Sequence, residues 1–212
     1  MLQIDNIKEL KQNRLIPKAK KRKVYLSDSF QCSPNLVDGW ETFKQVVEKG
    51  GDLKPYLSRG VKNLKSDYML YSWGIYHFHL GLKIEKDGFT ERTKYVLIAF
   101  INEDSFYVIG IYNHQSDAKV LPWDNTEIVE ILHRNWSYLI SDFQIVGVLS
   151  AFLSPEARKS LRKMNGNTTI SVSNGTVYSM VGGGIMPNGE NILDVMRMDY
   201  ENRKATLFKE QT

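Results

Sequence analysis

The chain predicts an α+β fold: a central antiparallel β-meander covered by helices, with a C-terminal subdomain containing a β-hairpin. Three observations carry that expectation. Residues 75–84 (IYHFHLGLKI) alternate strictly, and 95–101 (YVLIAFI) and 106–112 (FYVIGIY) are apolar runs joined to each other by a short polar turn. Consecutive β-patterned runs with short polar connections read as a meander. Next, Ile128, Ile131, Leu132, Asn135 and Trp136 recur at the spacing of a helix packed on a sheet. Finally, Ser173-Asn174-Gly175 stands between two β-patterned stretches, 168–172 and 176–180. Asn-Gly tolerates positive φ, which makes it a hairpin signal.

The other elements follow in chain order. Residues 24–30 (VYLSDSF) alternate well enough for a short strand. Val37, Trp40, Phe43, Val46 and Val47 lie at helical spacing, and Gly50-Gly51 ends that helix. Residues 52–56 predict a further turn or short helix. Along residues 75–84, Tyr76, Phe78, Leu80 and Leu82 form the better core face, which leaves His77 and His79 on the other. The continuous apolar runs after it imply burial on both faces, so something must cover the sheet. Asp124-Asn125-Thr126-Glu127 reads as a capping box opening the covering helix, expected over 125–137. Ser154-Pro155-Glu156 opens a helix running to about Met164. Residues 192–208 fit a strand or a helix equally.

The sequence divides into a basic N-terminal arm (1–23), an α+β core (24–150) and the C-terminal subdomain (151–212), packed as one continuous domain. The net charge of +4 hides an asymmetry. Residues 1–23 hold eight basic residues against Asp5 and Glu9, so the remaining chain is slightly acidic. A run such as PKAKKRK is a candidate phosphate contact, through Lys18, Lys20, Lys21, Arg22 and Lys23, because each cation at a phosphate releases counterions. Its plainer reading is a solvated terminus, since no aromatic side chains interleave it to stack on bases. With 42% hydrophobic and 25% charged residues the composition is that of a packed globular chain. The single Cys32 excludes an internal disulfide and fits a reducing compartment. No apolar run approaches the roughly 20 residues of a membrane span, and the N-terminus lacks a secretory stretch. A cytoplasmic protein without membrane association is expected.

All four histidines fall between positions 77 and 133. His77 and His79 share a strand face, and His114 closes the third strand. In a sequential meander, backbone separation across the middle strand is about 9–10 Å, and the side chains leave a gap for a small ligand. A neutral and a protonated imidazole can serve as base and acid, which suffices for RNA cleavage through the 2′-hydroxyl without a metal. That chemistry also wants a cation on the phosphate, for which Arg92 and Lys94 are the nearest candidates. His77, His79 and His114 equally form a zinc-like ligand set, which Glu85 completes only if the strand stays regular to that position. His133 lies beside the apolar stripe of its helix, and Arg134 reads as one half of a surface ion pair. Gly182-Gly183-Gly184 lacks the signature of a phosphate-binding loop, and no cofactor is expected.

Trp73-Gly74-Ile75-Tyr76-His77-Phe78-His79-Leu80 together with His133-Arg134-Asn135-Trp136 resembles a group of uncharacterised bacterial and mobile-element proteins with WGxxHxHL-like and HRNW-like motifs. That resemblance spans residues 37–190 and carries no biochemical role. The layout also resembles the RelE/YoeB ribonuclease toxins, with three antiparallel strands, a basic residue starting the second and a histidine closing the third. It implies acid/base and phosphate-stabilising places for His79, Arg92 and His114. The chain departs from that group in being about twice as long and in lacking basic residues around the sheet.

These observations lead to an expectation of a metal-independent RNA endonuclease, as a toxin or phage-defence effector, with RNA and a protein antitoxin or other protein as partners. One alternative is a metal-dependent hydrolase using His77, His79 and His114. Another is a non-catalytic nucleic-acid- or protein-binding module that works through the arm.

Overall fold

The computed structural model describes residues 4–114, 126–149 and 153–209. Helix α1 (Ile4–Leu15) leads to strand β1 (Lys23–Leu26), helix α2 (Val37–Lys49) and two short 3₁₀ turns over residues 54–63. Helix α3 (Tyr68–Trp73), strands β2 (Ile75–His79), β3 (Tyr95–Ile101) and β4 (Ser105–Asn113), and helix α4 (Glu127–Trp136) follow. The remainder holds β5 (Gln144–Ile145), α5 (Pro155–Lys163), β6 (Ile170–Ser171), β7 (Val177–Tyr178) and α6 (Ile192–Lys209).

The expected α+β class and meander are present. The main sheet runs β1-β4-β3-β2, with β2, β3 and β4 antiparallel in sequence order and β1 added parallel to β4. A second, antiparallel sheet of order β5-β7-β6 contains the expected hairpin, whose Gly175 has φ 85°. Residues 192–208 resolve as helix. Asn191 starts it by accepting from the backbone N–H groups of Leu193 (3.0 Å) and Asp194 (3.3 Å).

The main sheet is buried on both faces. Phe78, Leu97, Ala99, Phe106 and Val108 pack against Trp40, Phe43 and Val47 of α2 and against Leu53, Tyr56 and Leu57. The Phe43 ring sits 4.9 Å from Phe78 and 5.7 Å from Phe106, close enough for aromatic pairing as well as burial. Ile75, Val96, Ile98, Tyr107 and Ile109 face Ile128, Ile131, Leu132 and Trp136 of α4, joined by Ile170, Val172 and Tyr178. The hairpin therefore shares a core with the sheet.

Several expected boundaries shift; the strand expected over 24–30 already ends at Leu26, and the hairpin strands shorten to Ile170–Ser171 and Val177–Tyr178. The alternating run 75–84 stops as a strand at His79, and Leu82 and Ile84 are exposed instead of lying on the core face. The reason is a close approach at Gly81, where a Cβ would come within 2.4 Å of Glu91, while Thr90 Oγ1 donates to the Gly81 carbonyl (2.7 Å). At α4, Asp124 and Asn125 lie outside the described residues. Thr126 occupies the N-cap position and makes no side-chain capping bond.

The N-terminal segment is not a solvated arm in the described residues. Leu15 is 2% exposed within the α2-side core, and Arg14 Nε donates to Asp194 Oδ1 of α6 at 2.7 Å. The chain then enters the sheet as β1.

Candidate functional site

The structure brings the predicted histidine row together but closes the gap within it. His79 and His114 meet edge to face, with ring centroids 5.1 Å apart, so no ligand fits between them. His79 is 2% exposed, and its Nδ1 accepts from the Thr93 N–H at 3.2 Å, which puts the proton on Nε2. Burial, followed by the charges of His114, His77 and Arg92, pushes its pKa down to about 3. Such an imidazole stays neutral and cannot act as an acid near pH 7. His114 Nδ1–H donates to the Lys94 carbonyl at 3.1 Å, and burial lowers that histidine too. Arg92 is exposed, and its charge reaches all three imidazoles.

The zinc-like arrangement does not form. Among the described residues no group of three or more His, Cys, Asp or Glu side chains is placed to hold a metal ion. The three Nδ1 atoms are turned to Asp67, Thr93 and Lys94, so the imidazoles are not aimed at a common point.

Several basic candidates serve the fold. Arg22 is 7% exposed and donates to the carbonyls of Asn102 (2.9 Å) and Lys18 (2.9 Å). Lys20 pairs with Glu103 and Asp104, each at 2.8 Å. Lys18, Lys21 and Lys23 remain exposed, Lys23 lying 4.9 Å above the Tyr25 ring. Lys94 is exposed at the start of β3.

The four residues of the HRNW motif also have fold-building work. Asn174 Nδ2 donates to His133 Nε2 (3.0 Å), leaving Nδ1–H to donate to Tyr178 Oη (2.7 Å), so the histidine ties α4 to the hairpin. Arg134 grips Asp28 through two bonds, at 2.6 and 2.8 Å, and Asn135 adds a third at 3.0 Å. Trp136 packs edge-on against Tyr107 at 5.1 Å. The glycine run is likewise structural, since a Cβ at Gly182 would come within 2.1 Å of the Leu70 carbonyl.

One predicted histidine stands apart from these roles. Asp67 caps α3, its Oδ1 accepting from the N–H groups of Met69 (3.0 Å) and Leu70 (3.1 Å). Six helical residues later Gly74, at φ 67°, ends the helix in the left-handed conformation and reverses the chain into β2. That reversal returns His77 to Asp67, with Nδ1 3.3 Å from Oδ2, at ion-pair distance but too oblique for a hydrogen bond. Burial opposes a charge on His77, but the Asp67 carboxylate outweighs it and holds the imidazole above its ordinary value. Burial likewise opposes the Asp67 charge, and His77 with the two backbone donors keeps that carboxyl below its usual range.

Asp67 and His77 line a cavity of about 450 Å³ at the free edge of β2. His77 Nδ1 is itself fully buried, so the 15% of its side chain that stays open belongs to the rest of the ring. Leu15, Leu57, Val61 and Met69 make much of the wall apolar, while Tyr68 and Tyr76 add aromatic surface. Lys65, Lys159, Arg162 and Lys163 supply four cations to a lining whose one carboxylate is already paired. Lys159 and Lys163 lie one turn apart on α5, held by the Ser154 cap that accepts from the Ala157 N–H at 3.2 Å. The cavity thus sets one imidazole among four basic side chains.

Of this cavity, only His77 is among the candidates read from the sequence. Asp67 and the cations Lys159, Arg162 and Lys163 belong to no motif that singles them out in the sequence. Nothing local joins them across ninety residues. No family model, curated protein or solved structure matches the chain.

Proposed function

We propose that the protein is a metal-independent ribonuclease whose reaction centre is His77 in the cavity at the sheet edge. The observation that carries this reading is the Asp67–His77 pair set in a pocket with a basic rim. Acid–base groups and convergent cations in a concave, largely apolar site are what such chemistry requires. His77 takes the proton of a ribose 2′-hydroxyl, and the freed oxygen forms a bond to phosphorus. The bond from phosphorus to the 5′-oxygen breaks, and His77 returns the proton to that leaving oxygen. Asp67 stabilises the imidazolium formed between the two transfers, and the rim cations offset charge developing on the phosphate. Of the neighbouring His79, His114 and Arg92, the Arg92 charge opposes a proton on His77, and the two imidazoles take no part in the step. The metal-dependent alternative has no converging donor set to rest on among the described residues.

The reading goes with a cytoplasmic RNA substrate and, for a toxin or phage-defence effector, a protein antitoxin. No helix among the described residues is long and apolar enough to cross a membrane. Its test is cleavage of single-stranded RNA by purified protein in EDTA. Activity that persists in EDTA and is lost in His77→Asn is expected, together with slowed growth on expression that the same change relieves. Equal cleavage by His77→Asn overturns the assignment.

A non-catalytic binding module is the second reading, favoured by how many of the predicted side chains serve the fold. Exposed Lys18, Lys21 and Lys23 would then carry the contact. Charge reversal at these three would abolish RNA binding and flatten its salt dependence, whereas unchanged binding would exclude this module.

A further inference from the structure

We infer that the cavity takes one unpaired nucleotide of an RNA strand with a phosphate at each end, one at His77 and the other on the rim lysines. This rests on the reading of His77 as the reaction centre and adds the form of the substrate. The cavity, about 450 Å³, lies in the range of sites for small molecules, roughly 300–1,000 Å³. It admits a single nucleoside, whereas a paired helix presents its phosphates outward and cannot enter. Its lining supplies three kinds of surface. The Asp67–His77 pair supplies a polar group with part of one imidazole ring open. Apolar wall and the Tyr68 and Tyr76 rings supply a zone suited to a flat base, since stacking on aromatic side chains is indifferent to sequence. Lys65, Lys159 and Lys163 supply the exposed end. None of these three lysines has a carboxylate at ion-pair distance among the described residues.

The arrangement argues against other amphipathic anions. A fatty acyl chain laid along the apolar wall would set hydrocarbon against the open edge of the His77 imidazole, leaving that polar group without a hydrogen-bond partner. Free phosphate would satisfy either end but would leave the apolar zone unused. A nucleotide with phosphates on both its 3′ and 5′ oxygens satisfies all three zones, because the ribose spaces two anions around one base.

Calorimetric titration of the full-length chain with adenosine 3′,5′-bisphosphate, adenosine 5′-monophosphate, adenosine and inorganic phosphate tests this. The bisphosphate is expected to bind at least about tenfold more tightly than the monophosphate, a difference of about 1.4 kcal/mol. Adenosine and phosphate alone should bind more weakly still. The double change Lys159→Glu and Lys163→Glu, on an exposed helix face, should erase the bisphosphate advantage while leaving the melting temperature in place. Equal affinity for the two nucleotides, absence of binding, or tighter binding of duplex than of single-stranded RNA overturns the inference. Bisphosphate preference without any RNA cleavage would keep this ligand and remove the ribonuclease. Cleavage that depends on His77 without bisphosphate preference would do the reverse.

Discussion

At the scale of single residues, two histidines on one strand face, two positions apart, are driven in opposite directions by what surrounds them. His79 is packed away from water and gives its lone pair to the Thr93 N–H, so its charged form is disfavoured. Unfolded, the same group titrates near 6.5, while in the fold it does so at about 3. The unfolded chain therefore binds the proton that folded His79 refuses. Stability from this source is complete above about pH 6.5 and drains as pH falls toward 3, by at most about 1.4 kcal/mol per pH unit. Urea unfolding at about pH 5 and about pH 7.5 should show that loss, and His79→Asn should reduce the difference between the two. An unchanged pH difference in the variant would place the acid sensitivity elsewhere.

His77 carries the opposite sign, because Asp67 raises it. Its contribution to stability is present below its unfolded value and is lost as pH rises through the higher folded one. The rate of a reaction that uses neutral His77 as base should climb through that same raised value. Asp67→Asn removes the charge responsible, so the acid limb of the pH–rate profile should move to lower pH as the maximal rate falls. A limb that stays in place would mean that another group titrates there.

At the scale of elements, the strands and helices with a strong period were legible and the joints between them were not. Helix α2 shows the legible case. Trp40, Phe43 and Val47 stand one turn apart in the sequence and are buried together, and Gly50 ends the helix at φ 78°. Phe43 touches Phe78 and Phe106 on two strands, so Phe43→Ala should cost about 3–5 kcal/mol in chemical unfolding. A loss below about 1 kcal/mol would mean that this face of the sheet is not packed as described. The end of β2 shows the illegible case. Alternation continues unbroken to Ile84, but the close approach of Thr90 and Glu91 at Gly81 is a long-range fact that no local pattern contains. The site behaves likewise. His77 was visible as one of a histidine pair, yet Asp67 is ten residues away, beyond a helix of six residues and a left-handed glycine. The cations of α5 come from eighty residues further on. Residue type pointed to the histidines, and topology decided which of them has a pocket.

At the scale of the whole molecule, the charge asymmetry that suggested a detachable arm is absorbed by the fold in part, with Lys18, Lys21 and Lys23 left exposed. Arg14 pairs with Asp194, Lys20 with Glu103 and Asp104, and Arg22 is buried against backbone carbonyls. Leu15 belongs both to the core and to the cavity wall. Deleting residues 1–15 should therefore lower the melting temperature, on the scale of the roughly 2–5 kcal/mol that a buried leucine contributes, as well as weaken ligand binding. An unaltered melting temperature would return this segment to the status of an arm.

If His77 is the reaction centre, its neighbour across the sheet, His114, has a supporting place only. Single-turnover cleavage of single-stranded RNA in EDTA by His77→Asn and His114→Asn separates the two most directly. The expected result is a loss of about 10²–10⁴-fold for His77→Asn, the usual worth of a positioned acid–base group, against less than about tenfold for His114→Asn with the same melting temperature. The opposite ranking, or equal activity in both variants, would contradict it.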